Sequence, residues 1–232
     1  MTDTLLRIED DATRNDRAAE RFLVALEESA REKAKVLVAF CGGRSPEGLF
    51  LALRSDERLP RLRAIGPQLE LFVVDERAVP LDDADSNFLL LSKSLFEPLQ
   101  QAGVVSNAQI HPFCVAPNEA DFGAATYSAL LRRYGTAFDV VLLGAGEDGH
   151  VAGLFPGVSA ELSGDYFVGF SGSPKPPSDR VTATTALLLR SSFIMLLFIG
   201  EGKREAYELF QAGRTPSALV RKVANHVVVT NL

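Results

Sequence analysis

His150 stands in GAGEDGHVAGLFPG, residues 144–157, two positions after Asp148 and directly after a glycine. An imidazole titrates near neutrality and accepts a proton from water, and a neighbouring carboxylate orients it and stabilises the cation that forms. Other segments carry groups suited to an anionic, hydroxyl-rich ligand. In CGGRSPEG, Gly42 and Gly43 let the backbone approach an anion closely, and Arg44 and Ser45 add donors just before a helix start. In DERAVP, Asp75 and Arg77 are two apart and project to one side of an extended chain. The guanidinium suits an oxyanion or a phosphate, and the carboxylate suits sugar hydroxyls or the positioning of Arg77. KPPSDRVT and GEGKREA add Lys175, Arg180 and Lys203. Taken singly, each feature has a plainer reading: a structural histidine, a tight turn, a surface ion pair, a solvated cation. The shared place of four of these segments, CGGRSPEG, DERAVP, GAGEDGH and GEGKREA, at the ends of apolar runs is what favours chemistry.

Several other chemistries fail on spacing. GAGEDG matches the GxGxxG dinucleotide fingerprint, but that pattern opens a long helix, and HVAGLFPG brings two glycines and a proline soon after it. The GxxxxGK[ST] phosphate loop and the GxSxG serine elbow are absent. DDADSNF begins like a calcium loop, yet Phe88 stands where the turn glycine belongs and Ser94 where the bidentate glutamate belongs. No histidine pair has zinc spacing, and Cys41 and Cys114 form no CxxC. The expectation is an enzyme with no metal and no cofactor.

Bulk properties narrow the partners. The chain has 232 residues, 47% of them hydrophobic and 23% charged, with a formal net charge of -6, an ordinary globular composition without a basic patch for nucleic acid or an anionic membrane. An anionic ligand must therefore be held by local cations. Two cysteines make no disulfide framework and point to a reducing, cytoplasmic setting. The acidic start, MTDTLLRIEDD, lacks the layout of a secretory signal, and the longest apolar stretch, FIMLLFIG, falls far short of the roughly 20 residues of a membrane-spanning helix.

The elements that must position these groups alternate along the chain. Apolar runs at Val36–Phe40, Leu69–Val74, Phe138–Leu143 and Phe193–Gly200 suit strands buried on both faces, and His226–Thr230 suits a last strand. A helix is expected from Asp16 to about Lys33, with Phe22, Leu23, Leu26 and Ala30 on one side. Ser86 caps another through Leu90 and Leu95, Glu119–Arg133 makes a third, and Thr215-Pro216 opens one more; Ser171–Asp179 is a loop. Such alternation predicts one α/β domain over residues 1–232, a three-layer α/β/α sandwich with a mostly parallel open sheet. Ligands of such sheets bind at the carboxyl ends of the strands, where CGGRSPEG, DERAVP, GAGEDGH and GEGKREA all lie.

With these blocks assembled in order, CGGRSP, VVDERAVPLDDADSN, LLGAGEDGHVAGLFP, KPPSDRVT and GEGK, the sequence resembles the 6-phosphogluconolactonases, within the wider group that includes glucosamine-6-phosphate deaminases. The resemblance implies an open sandwich similar to the ribose-5-phosphate isomerase and CoA-transferase folds. It implies metal-free hydrolysis of 6-phospho-D-glucono-1,5-lactone in the oxidative pentose phosphate pathway. His150, Asp148, Arg77 and Asp75 would then serve the chemistry, and Gly42, Gly43, Arg44, Ser45, Arg180, Lys203 and Lys175 the phosphate. The deaminases are the rival, but they typically continue with a Phe-Asn-Glu-Pro run, and here GLFPG supplies no acid. A sugar-phosphate-binding protein without turnover is a third reading. Arg44 and Gly153 stand where the family usually carries small hydroxyl residues. Monomer and homodimer are both compatible with the sequence.

Overall fold

The computed structural model describes residues 4–158 and 162–232; the start of the N-terminal segment, residues 1–3, and residues 159–161 lie outside it. Continuous apolar runs form strands with no exposed face. Val36–Phe40, Leu69–Val73 and Phe193–Phe198 are buried at every position, as strands covered on both sides must be. In chain order the strands are β1 (Leu5–Arg7), β2 (Val36–Phe40), β3 (Leu69–Val73), β4 (Asp75–Arg77), β5 (Ile110–His111), β6 (Val140–Gly144), β7 (Phe167–Phe170), β8 (Arg180–Ala183), β9 (Phe193–Phe198) and β10 (His226–Thr230). A seven-stranded sheet runs β1-β10-β9-β6-β2-β3-β5, with every pair parallel. The helices are α1 (Asp11–Glu32), α2 (Glu47–Leu53), α3 (Leu59–Ile65), α4 (Asn87–Leu91), α5 (Glu97–Gln101), α6 (Ala124–Tyr134), α7 (Thr185–Leu189) and α8 (Arg204–Gln211). Together they make the expected three-layer α/β/α sandwich.

Strand order reverses at β2. From there β3 and β5 lie to one side and β6, β9 and β10 to the other, so a crevice opens beyond the carboxyl ends of β2 and β6. The last residue of β2, Phe40, ties this point to the core: its ring lies 5.9 Å from Phe22 of α1, 6.0 Å from Phe50 of α2 and 5.9 Å from Phe96. Truncating such a ring typically costs about 3–5 kcal/mol, and the crevice begins at the next residue.

Some boundaries differ from the sequence expectation, each for a local reason. Helix α1 starts at Asp11, earlier than Asp16, because the Asp10 carboxylate accepts from Thr13 N at 2.7 Å and caps it. Helix α6 starts at Ala124, later than Glu119, because Asp121 accepts from Gly123 N and Ala125 N, and Gly123 takes a left-handed φ of 97°. Asp139 precedes β6 instead of joining it, since its carboxylate turns back to accept from Leu37 N at 2.8 Å and pairs with Lys33. Thr215 shares a hydrogen bond with Ser217 Oγ and makes no side-chain cap, and the segment after it is a 3-10 helix, Pro216–Lys222.

A larger departure is a second, antiparallel sheet, β4-β8-β7. The chain enters it through Val74, whose N–H donates to Phe40 O while its C=O accepts from Ala183 N. The expected loop at residues 171–179 is the hairpin connection between β7 and β8. Among the described residues, no helix is long and apolar enough to cross a membrane.

Candidate active site

Beyond β2, Cys41 N still donates to Leu142 O at 3.0 Å, and the backbone then turns through Gly42 and Gly43. A Cβ on Gly42 would fall 2.0 Å from Asn87 Oδ1, and Gly43 has φ +90°, so neither position admits another residue without strain. Arg44 and Ser45 continue the same wall. Burial, and secondly the charge of Asp75, push the Cys41 thiol up to about 12. It stays protonated and is no nucleophile at neutral pH.

Beyond β6, the chain folds back on itself. Gly146 N donates to His150 O at 2.8 Å and Gly149 N to Gly146 O at 3.0 Å. The turn places Asp148 Oδ1 2.5 Å from His150 Nδ1. An ionised carboxylate only accepts, so the Nδ1 proton is fixed and the Nε2 lone pair is the free one. Gly146 is required for this closeness: its added Cβ would lie 2.0 Å from His150 Nδ1 and 2.6 Å from Asp148 Oδ1. Burial lowers the His150 pKa, outweighing the Asp148 contact that would raise it. For Asp148, partial burial works upward, but the hydrogen bond and charge of His150 prevail and hold its pKa below the ordinary value. The imidazole packs on Phe155, ring centroids 4.5 Å apart, and the Arg180 guanidinium lies 5.4 Å from the same phenyl ring.

The second sheet supplies the third wall. Arg77 pairs in register with Arg180, and Asp75 with Thr182. Asp75 is buried, which raises its pKa against the opposing charges of Arg77, Arg180 and His150; Asn87 Nδ2 donates to its carbonyl at 3.0 Å and to Oδ2 at 3.3 Å. Glu76 is buried too, and its carboxylate accepts from Arg77 N, Asn87 N, Phe88 N and Ser86 Oγ. It thereby pins the start of α4, which Ser86 caps as expected by accepting from Leu89 N. Arg77 donates through Nη1 to Asp85 O, and its Nε is buried without a protein partner among the described residues.

A cavity of about 560 Å³ joins these walls. Gly42, Gly43, Arg44, Ser45, Asp75, Arg77, His150, Arg180 and Lys203 all line it. Lys203 enters from the turn before α8, with its pKa lowered by burial. Asp148 stands behind His150 as its partner. Lys175 does not line the cavity: its ammonium lies 3.6 Å from Asp148 Oδ1. Arg180 lines it, yet its Nε donates to Ser173 Oγ at 2.9 Å and its Nη2 to Lys175 O and Pro176 O. Much of its donor capacity holds the β7–β8 hairpin. Gly153 is explained by packing, because a Cβ would meet Thr182 at 2.7 Å while Gly153 N donates to Thr182 Oγ1.

Sequence reasoning missed Asn87, Glu76, Glu147 and Phe155. All four sat inside noted segments, Asn87 after the cap Ser86, Glu147 before Asp148, Glu76 between Asp75 and Arg77 and Phe155 in GLFPG, but residue type and spacing gave none of them a signal of its own. Among the described residues, no three His, Cys, Asp or Glu side chains are grouped to hold a metal ion. The arrangement can do three things: take a proton at His150 Nε2, store the resulting charge beside Asp148, and hold a multiply charged anion among Arg77, Arg180, Lys203 and the glycine loop.

Residues 9–229 match the family model of glucosamine-6-phosphate isomerases/6-phosphogluconolactonase. A 6-phosphogluconolactonase of Borreliella burgdorferi is 32% identical over 203 residues, covering 84% of this chain and 83% of that protein. 6-Phosphogluconolactonase 4 of Saccharomyces cerevisiae is 30% identical over 223 residues, covering 88% and 85%. Among solved structures, a 6-phosphogluconolactonase from Trypanosoma brucei superposes with a TM-score of 0.79 at 25% identity, covering 98% of this chain and 95% of that one. One from Thermotoga maritima gives 0.82 at 24% identity and 98% of both chains, a likeness of fold.

Proposed function

Because the chain belongs to the glucosamine-6-phosphate isomerase/6-phosphogluconolactonase family, we propose that it hydrolyses 6-phospho-D-glucono-1,5-lactone to 6-phospho-D-gluconate, acting as one domain over residues 1–232. The observation that carries this reading is the Asp148–His150 pair, set at the wall of a cavity lined by Arg77, Arg180 and Lys203. Similarity to relatives named 6-phosphogluconolactonase supports the same substrate.

A δ-lactone is an activated ester, so positioned water and a stabilised oxyanion suffice. Neutral His150 takes a proton from water at Nε2 as the water oxygen attacks the lactone carbonyl carbon. Asp148 stabilises the imidazolium. The tetrahedral oxyanion then collapses, the bond from the carbonyl carbon to the ring oxygen breaks, and His150 returns the proton to that oxygen. The new carboxylic acid loses its proton to solvent. Arg77 lies nearer the reacting end, and Asp75 accepts from sugar hydroxyls. Gly42, Gly43, Arg44, Ser45, Arg180 and Lys203 take the 6-phosphate. The cytoplasmic setting of the sequence reading accords with buried Cys41 and free Cys114.

The deaminase reading has less support, because VAGLFPG, residues 151–157, puts no ionisable side chain after His150. The test is acid production from freshly prepared 6-phosphogluconolactone, with spontaneous hydrolysis subtracted. Enzyme-dependent acid release is expected. Ammonia release from glucosamine 6-phosphate without lactone hydrolysis would reverse the assignment, and binding without either reaction would make the protein a sensor.

A further inference from the structure

We propose that Lys175 is a positioning residue that keeps His150 uncharged by acting through Asp148, and is not a phosphate ligand. This rests on His150 being the base. The ammonium lies 3.6 Å from Asp148 Oδ1, the same oxygen that stands 2.5 Å from His150 Nδ1. A cation on that oxygen draws off part of the negative charge that would otherwise stabilise an imidazolium. The base is thereby held neutral at lower pH, ready to accept a proton.

Lys175 is carried to this place by a built connection. Arg180 Nη2 donates to Lys175 O at 3.1 Å and Ser173 Oγ donates to the same carbonyl at 2.9 Å, while Arg180 Nε holds Ser173 Oγ. Arg180 thus fixes the backbone on which the ammonium hangs. An exposed ion pair adds little to stability, but here its field falls on a third, titrating group. The charges facing that group come from every wall: Asp148 and Glu147 from its own loop, Asp75 and Arg77 from β4, Arg180 from β8, and Lys203 from the turn before α8. Asp75 favours the imidazolium and Lys175 opposes it. Within the hairpin, Lys175 is the cation that meets Asp148 directly.

The test follows the His150 ring C–H resonances against pH in the full chain, identified by their loss in His150→Asn, alongside the pH profile of kcat/KM. In Lys175→Met, and again in Lys175→Gln, His150 is expected to titrate at higher pH than in the native protein, with Lys175→Arg native-like. On the acid limb, kcat/KM should fall about threefold relative to native. An unmoved His150 titration in both neutral variants overturns the proposal, and a raised KM with that unmoved titration makes Lys175 a substrate ligand instead. A moved titration with an unmoved rate profile upholds the coupling and overturns His150 as the base.

Discussion

Arg77 and Arg180 are paired in register across the antiparallel β4–β8 ladder, with buried Asp75 two residues before Arg77. Like charges opposite one another destabilise a strand pair, and a bound anion relieves that repulsion. Inorganic phosphate and 6-phosphogluconate should therefore raise Tm, by about 2.7 kcal/mol of added stability at 100 times Kd. In Arg77→Met or Arg180→Met the rise should shrink. Calorimetry with and without ligand checks this; a native Tm indifferent to both anions would remove the anion role of the pair.

His150→Asn should lower kcat by about 10²–10⁴, the usual contribution of a positioned base, with the circular dichroism spectrum and the phosphate-induced Tm shift retained. Near-native turnover in the folded variant would end its role as the base.

The pH dependence has a definite sign. Burial lowers the folded pKa of His150, so the acid limb of kcat/KM should lie below the ordinary histidine value of about 6.5. The unfolded chain takes up this proton first, so stability declines as pH falls from the unfolded value towards the depressed folded one. Asp148 acts in a separate, lower window: its folded pKa is also depressed, and its stabilisation is lost as pH drops from the unfolded carboxylate range through the folded value. A rate profile paired with urea titrations at several pH values separates the two; an acid limb above 6.5 would contradict the burial argument.

Gly146→Ala and Gly43→Ala should fail differently. The first drives a methyl to within 2.0 Å of His150 Nδ1, splitting the dyad and lowering kcat by about 10² or more. The second meets nothing within 4 Å but holds φ at +90°, which costs about 1–2 kcal/mol of backbone strain. A near-native kcat in folded Gly146→Ala would mean that the Asp148–His150 contact is dispensable.

Glu76→Ala should destabilise the fold by about 2–4 kcal/mol, because it strands Arg77 N, Asn87 N, Phe88 N and Ser86 Oγ around a buried carboxylate site. Urea unfolding reads this directly. A loss under about 0.5 kcal/mol would show that α4 needs no such anchor.

Much of the fold was legible because its signals are local. Val36–Phe40 and His226–Thr230 are strands at the residues read from their apolar runs, and the Asp148–His150 pair needs only a two-residue spacing and a glycine that admits it. Strand-end logic also brought Arg44, Lys203 and Asp75 to one cavity. The second sheet left no such trace. Asp75–Arg77 is three residues long and looks like the tail of a core strand, so nothing local announces its pairing with Arg180. Asn87 against Gly42, Phe155 between His150 and Arg180, and Lys175 on Asp148 likewise join residues from separate elements. Residue type and spacing therefore decided which groups reach the strand ends, because a short stretch of backbone dictates both. Which groups touch, and whether Lys175 lines the cavity or meets Asp148, was decided by long-range packing, whose energies depend on partners that the local chain does not contain.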